Sequence, residues 1–230
     1  MHDLTDAWLL DIWEQGQSRG LAELGLIMLA GACPDAKLQD LAAIPAGRRD
    51  AIIFRRRERI FGPRIAGLST CPACGTENEL TFETSDILSA VDPQGEGRPG
   101  LMTLAHMGYD VKFRLPSTYD LLAAASQPSL ERAYLALTDR GIINAFCRDK
   151  EIAVPDLPEK VIDAVAEMMA EQYPAADVQM KALCSSCGRQ WHQSFDIIWF
   201  FWKEIESWAH RTLRDVNDLA AAFADFRRAA

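Results

Sequence analysis

Four cysteines are spaced to bind a metal ion. Cys71-Pro-Ala-Cys74-Gly75 and Cys184-Ser-Ser-Cys187-Gly188 are two C-x-x-C pairs, each followed at once by a glycine. Two residues between thiolates let a tight turn bring both sulfurs to about 2.3 Å from one metal ion, with backbone N–H groups turned toward the sulfurs. The glycine accepts the left-handed backbone that closes such a turn. Two turns of this kind supply four thiolates, a closed tetrahedral set with no position left for a substrate. That is the chemistry of a structural Zn2+ rather than a catalytic one. A thioredoxin-like redox pair would need a βαβ setting, which neither cysteine pair has. Four thiolates leave no ligand vacancy for His106 or His192, which are expected to face solvent. Cys33 and Cys147 are expected to be simple buried or half-buried thiols.

The two pairs sit in matching local sequences. Each copy places a phenylalanine eleven positions after its first cysteine, Phe82 and Phe195. Each reads as a turn, then a strand, then a helix start. The separation is unusual: 109 residues lie between Cys74 and Cys184, where simple zinc ribbons use roughly 15–20. The expectation is a zinc ribbon, each C-x-x-C turn carried on a β-hairpin, split into two halves by an inserted strand-and-helix module.

The elements that must position these halves are mostly helical. Asp3 or Thr5 can cap a first helix carrying Trp8, Leu9, Ile12 and Trp13, and Gly16 ends it. A second helix spans 21–32 and stops before Pro34, a short one lies at 38–43, and a longer one runs from Pro45 to Phe61, ahead of Gly62 and Pro63. The alternation of Glu79 to Glu83 and of Tyr109 to Leu115 predicts strands. Residues 92–100 read as a loop. Pro116 and Ser117 introduce a helix over 118–125. Further helices are expected at 130–139 and 159–172, with core methionines in Ala166–Ala170, and a strand at 177–183 leads into the second cysteine pair. From Asp196 the chain reads as a long helix with a break near Asp215.

The bulk composition bounds the function. Among 230 residues, 49% are hydrophobic and 25% charged, an ordinary balance for a globular protein with a real core. No apolar run reaches the ~20 residues that cross a bilayer. Asp3, Asp6 and Asp11 stand where a signal peptide needs positive charge, so a cytoplasmic product is expected. The net charge of −9 lowers the expectation of nucleic-acid binding. No phosphate loop, dinucleotide fingerprint, H-E-x-x-H or G-x-S-x-G motif is present, and no histidine sits beside a candidate nucleophile. No catalytic residue is nominated, and the chain is read as a non-enzyme without a small-molecule substrate.

Two surfaces are candidates for protein partners. The first is basic: Arg48, Arg49, Arg55, Arg56 and Arg59, with Arg57 and Arg64 close by. On a helical wheel Ile53, Phe54, Ile60 and Phe61 form one apolar stripe, and Arg55, Arg56 and Arg59 project away from it. Arg57 falls within that stripe, near Asp50 in angle, and needs a partner or a route to water. The second is aromatic. Ile198, Phe201, Trp202, Ile205, Ala209 and Leu213 share a core-like stripe, leaving Trp199 and Phe200 on the other side. These two are either covered by the neighbouring cysteine turn or exposed to a partner.

Taken in order, several segments resemble the baseplate proteins and baseplate hub assembly chaperones of T-even-like contractile tails and related injection particles. They are Leu10-Asp-Ile-Trp13-Glu, Ile44-Pro-Ala-Gly-Arg48-Arg-Asp50, Arg57-Glu-Arg-Ile-Phe61-Gly-Pro63-Arg64, the Cys71 turn, and the second turn ahead of Phe195-Asp196. The resemblance implies a structural or assembly role in a baseplate, binding hub or tail proteins, in the host cytoplasm or the assembled particle. Such relatives tend to continue with a Trp-containing segment and a basic end, unlike this chain. The expected architecture is α+β and mainly α: an N-terminal helical region (1–65), the first ribbon half (66–91), the inserted module (92–176), the second half (177–196) and C-terminal helices (197–230). A zinc-ribbon adaptor for nucleic acid is the alternative, on the strength of the arginines.

Overall fold

The computed structural model describes residues 6–89, 101–172, 175 and 178–229. The cap expected at Asp3 or Thr5 and the loop expected over 92–100 lie outside them. Helices α1 (Asp6–Gly16), α2 (Leu21–Ala32), α3 (Leu38–Ala42) and α4 (Ala46–Phe61) open the chain. Glycine and proline fall between these helices and set their ends: Pro45 precedes α4, and Gly62 stops it at φ +87°.

The first hairpin follows, with β1 (Arg64–Thr70) and β2 (Glu77–Glu83) joined through Cys71 and Cys74, and then the short α5 (Thr84–Leu88). Next come β3 (Met102–His106), β4 (Tyr109–Phe113), α6 (Thr118–Ala125), α7 (Leu130–Gly141), β5 (Ile142–Cys147), β6 (Lys150–Glu151) and α8 (Glu159–Gln172). The second hairpin is β7 (Val178–Leu183) and β8 (Gln190–Phe195), and α9 (Ile197–Ala229) closes the chain. The fold is therefore α+β and mainly helical. Strands β3-β4-β5-β6 form one antiparallel sheet, and each cysteine hairpin is a two-stranded sheet of its own.

Three differences from the expected elements have physical causes. Strand β1 carries no pattern of its own, because Ala66 and Gly67 weaken its alternation; it forms by pairing with β2 from Arg64↔Glu83 to Thr70↔Glu77. Strand β5 supplies a partner for β4, from Tyr109↔Cys147 to Phe113↔Ile142, that Ile142–Cys147 did not announce by alternation. The break expected near Asp215 is absent: α9 is continuous over Ile197–Ala229, and no glycine or proline occurs within it.

Two hydrophobic clusters hold these elements. The larger collects Ile12 and Met28 from the N-terminal helices, Phe54 from α4, Ile65 and Val178 from the two hairpins, and Ile198, Phe201 and Ile205 from α9. The smaller joins Val111 and Phe113 of β4 and Ala145 of β5 to Val161 and Val165 of α8, with Met168 and Met169 packed against it. Ile198, Phe201, Trp202, Ile205 and Ala209 are buried as their stripe predicted, but Leu213, assigned to the same stripe, is 43% exposed. The helix has left the body by that point.

Candidate metal centre and its flanking groove

The two cysteine turns are built alike. Gly75 N–H donates to the Cys71 carbonyl at 3.0 Å, and Gly188 N–H to that of Cys184 at 3.1 Å. Cys71 N–H reaches the Thr76 carbonyl and Cys184 N–H the Arg189 carbonyl, both at 2.9 Å. Gly75 and Gly188 have φ of +73° and +71°, the left-handed conformation their position predicted. The likeness extends beyond the turns at one constant interval, that between Cys71 and Cys184. Ile65 corresponds to Val178 and pairs with Phe82 as Val178 pairs with Phe195; Thr84 and Ile197 both begin helices. The two phenylalanines meet edge to face, 5.0 Å between ring centroids.

These hairpins bring the four sulfurs together. Cys71 Sγ lies 3.7 Å from Cys187 Sγ, Cys74 Sγ lies 3.5 Å from Cys184 Sγ, and all four are within 4.8 Å of one another. Four ligands about 2.3 Å from a tetrahedral ion stand about 3.8 Å apart. The sulfurs therefore fit a thiophilic divalent ion, and each close pair takes one sulfur from each hairpin.

The protonation pattern agrees with that chemistry. The Cys187 backbone N–H, 3.4 Å from Cys184 Sγ, draws the Cys184 thiol down to about 6. The Arg189 backbone pulls Cys187 the same way but is outweighed by the sulfurs of Cys74 and Cys184, so its thiol rises to about 11. The Thr76 hydroxyl and backbone lower Cys74. Metal binding takes up thiolates, so a cation here would draw these protons off.

Asn78 is a supporting residue that sequence reasoning missed. Buried in β2, it accepts hydrogen bonds from Ser185 N–H at 2.8 Å and from Ser185 Oγ at 3.0 Å, and donates to the Thr76 carbonyl at 2.8 Å. Its amide nitrogen also lies 3.9 Å from Cys184 Sγ. One side chain thus ties the first turn to the second. The available signal was a poor strand former inside an alternating run. Ser69 Oγ donates to Gln193 Oε1 at 2.7 Å, a second polar tie between the hairpins.

The arginines do not form one exposed face. Arg49 is 4% exposed, so its expected place on a docking surface is corrected. Its guanidinium donates to Asp50 at 2.7 Å and to Thr118 at 3.3 Å, and it lies against Gly25, where any Cβ would come within 2.9 Å of it. Arg57 is also buried and makes a bidentate pair with Glu204 of α9, with Nε at 2.9 Å. It donates to the Gly62 carbonyl at 2.6 Å and covers the Phe200 ring at 5.7 Å. The partner that its place in the apolar stripe required is Glu204, while Asp50 serves Arg49. Arg56 donates to the Ala32 carbonyl at 2.8 Å and sits over Trp8. Arg48 and Arg55 are half-buried, and Arg59 is exposed.

Trp199 and Phe200 part ways. Phe200 is half-buried against Phe195, with centroids 5.2 Å apart, so the second hairpin covers it. Trp199 is 52% exposed and lines a groove of about 580 Å3 between the β1-β2 hairpin, β8 and α9, together with Leu68, Leu80 and Lys203. Leu68, at 73% exposure, is the most solvated apolar side chain on its rim. Among the described residues no helix is long and apolar enough to cross a membrane.

A family model described as T4 bacteriophage base plate protein matches residues 26–202, which include both cysteine pairs, the Arg48–Arg64 segment and the start of α9. No curated protein and no solved structure matches the chain.

Proposed function

The chain belongs to the T4 bacteriophage base plate protein family, and from that premise we propose that it is a non-catalytic assembly or structural component of a contractile-tail baseplate that docks another baseplate chain in the groove beside its cysteine centre. In this reading the two hairpins are the halves of a split zinc ribbon. Cys71, Cys74, Cys184 and Cys187 hold a structural Zn2+ that fixes β1 against β8. The ion supplies cohesion alone, because four thiolates leave it no open coordination position.

The observation that carries the proposal is the groove itself. A half-exposed tryptophan and an exposed leucine line a concave, mostly apolar surface whose two walls are joined by the sulfur cluster. Large aromatic anchors in pockets supply most of the energy of protein–protein contacts. Arg59 and the half-buried Arg48 and Arg55 are left to steer an approaching acidic partner. The protein would act in the host cytoplasm during assembly and enter the particle with its partner.

The test is complementation of a strain lacking the gene with Trp199→Ala or Leu68→Asp protein. Both side chains are at the surface, so the variants are expected to fold and bind metal normally, yet fail to co-purify with other baseplate chains and give few complete tails. Tails assembled at wild-type levels with both variants would overturn the groove as the docking site.

A further inference from the structure

The second half of α9 continues, in solvent, the apolar stripe that the first half buries. Ile198, Trp202, Ile205 and Ala209 are spaced alternately four and three apart, and are 1%, 8%, 0% and 0% exposed. The same alternation runs on without a skip through Thr212, Val216, Leu219 and Phe223. Val216, Leu219 and Phe223 are 59%, 73% and 62% exposed. The sequence places Phe226 at the next step. This is a heptad seam whose a and d positions are apolar except for Thr212, half of it docked and half of it open. The open half lies outside the residues the family match covers.

We propose that the open seam packs against the same segment of a second copy of this chain. Identical tails are self-complementary along a heptad seam, because each layer meets its own kind or its neighbour in phase. The flanking positions favour this occupant. Leu213 and Ala220 lie on one side, and Asp215 and Ala222 on the other. Two tails therefore meet without like charges opposed, in either orientation, and the alanines let the backbones approach. Arg211, Arg214, Asn217 and Asp218 occupy the outer face and stay solvated.

The size of the contact sets its strength. Residues 213–229 make a helix about 25 Å long and about 10 Å wide. That footprint is well below the ~800 Å2 per partner of a stable interface. The association is therefore reversible on dilution, and other contacts in an assembled particle would be needed to make it permanent.

This inference depends on α9 alone, so it can fail while the groove reading stands, and the reverse. Sedimentation velocity of the full-length metal-loaded protein, from roughly 5 to 500 µM, decides it. The wild type is expected to show a sedimentation coefficient that climbs toward the dimer value with concentration. Leu219→Asp should remain monomeric throughout, with unchanged circular dichroism and metal content, since Leu219 belongs to neither core. Asn217→Asp, on the outer face, should behave as wild type. A wild type that stays monomeric overturns the proposal, as does a Leu219→Asp variant that still associates. A monomer whose tail resists proteolysis only when mixed with another baseplate chain overturns it too, and gives the seam a different occupant.

Discussion

At the scale of single residues, two buried carboxylates respond to pH in opposite senses. Burial lifts Asp50 to about 6, against the pull of Arg49, where an exposed Asp titrates near 3.9. Asp120 is also fully buried. Burial alone would raise it, but hydrogen bonds from Arg114, Ser117 and Arg140 hold its carboxyl well below the usual range. The folded state binds the Asp50 proton more tightly than the unfolded chain does. Stability from this group is therefore fully present below about pH 4 and is lost as pH rises toward 6, by at most roughly 3 kcal/mol. Asp120 contributes above about pH 4, and that contribution is lost as pH falls further. In Asp50→Asn, urea unfolding between pH 4 and 7 should isolate the first effect, because an amide oxygen still accepts from Arg49 but no longer titrates. The stability of wild type relative to the variant is expected to fall from pH 4 to 6 and to stay level above. A difference that does not change across that window would show that Asp50 titrates normally.

At the scale of elements, the charge that ties helices together is the Arg57–Glu204 pair between α4 and α9. The arginine is fully buried, and the glutamate is only partly so, at 23% side-chain exposure. Removing one partner strands the other, whereas replacing both with apolar groups costs little. Glu204→Leu is expected to destabilise by about 3 kcal/mol, and the double variant Arg57→Leu/Glu204→Leu to recover most of it in guanidinium unfolding. A double-variant loss equal to the sum of the Arg57→Leu and Glu204→Leu losses would mean that the pair carries no coupling. The sequence predicted that Arg57 needed a partner but not which one, because angle on one helix says nothing about a residue 147 positions away. The same limit explains what else was and was not legible. Local signals were sufficient for α6, begun at Pro116 and Ser117, and for both cysteine turns, each closed by glycine. Strand β1 depends on its pairing with β2, and the burial of Arg49 depends on Thr118 and on the space left by Gly25. The Cys–Phe repeat was visible, but not that Phe82 and Phe195 would touch.

At the scale of the whole molecule, the sulfur cluster joins distant parts of the chain within only one of the two cores. The larger core takes residues from the N-terminal helices, from both hairpins and from α9. The smaller is built from β4, β5 and α8, none of which carries a ligand. Binding energies of structural zinc sites, about 10–16 kcal/mol, rival the 5–15 kcal/mol of a whole domain. On the proposal that the cluster holds Zn2+, losing the ion should therefore act on one core and spare the other. Phe82 and Phe195 seat the hairpins on the larger core, and an ion among the sulfurs would tie the two turns together. After a strong chelator strips the reduced protein, amide exchange is expected to accelerate at Phe54, Ile65 and Phe201. Val111, Phe113 and Val165 should stay protected. Cys71→Ser should reproduce this pattern without chelator, because three thiolates cannot close the tetrahedron. Loss of protection in both cores together would mean that the smaller one folds only on the larger. Full protection of both in the stripped protein would show that Asn78, Ser69 and the Phe82–Phe195 contact already hold the hairpins, leaving the cysteines no structural part.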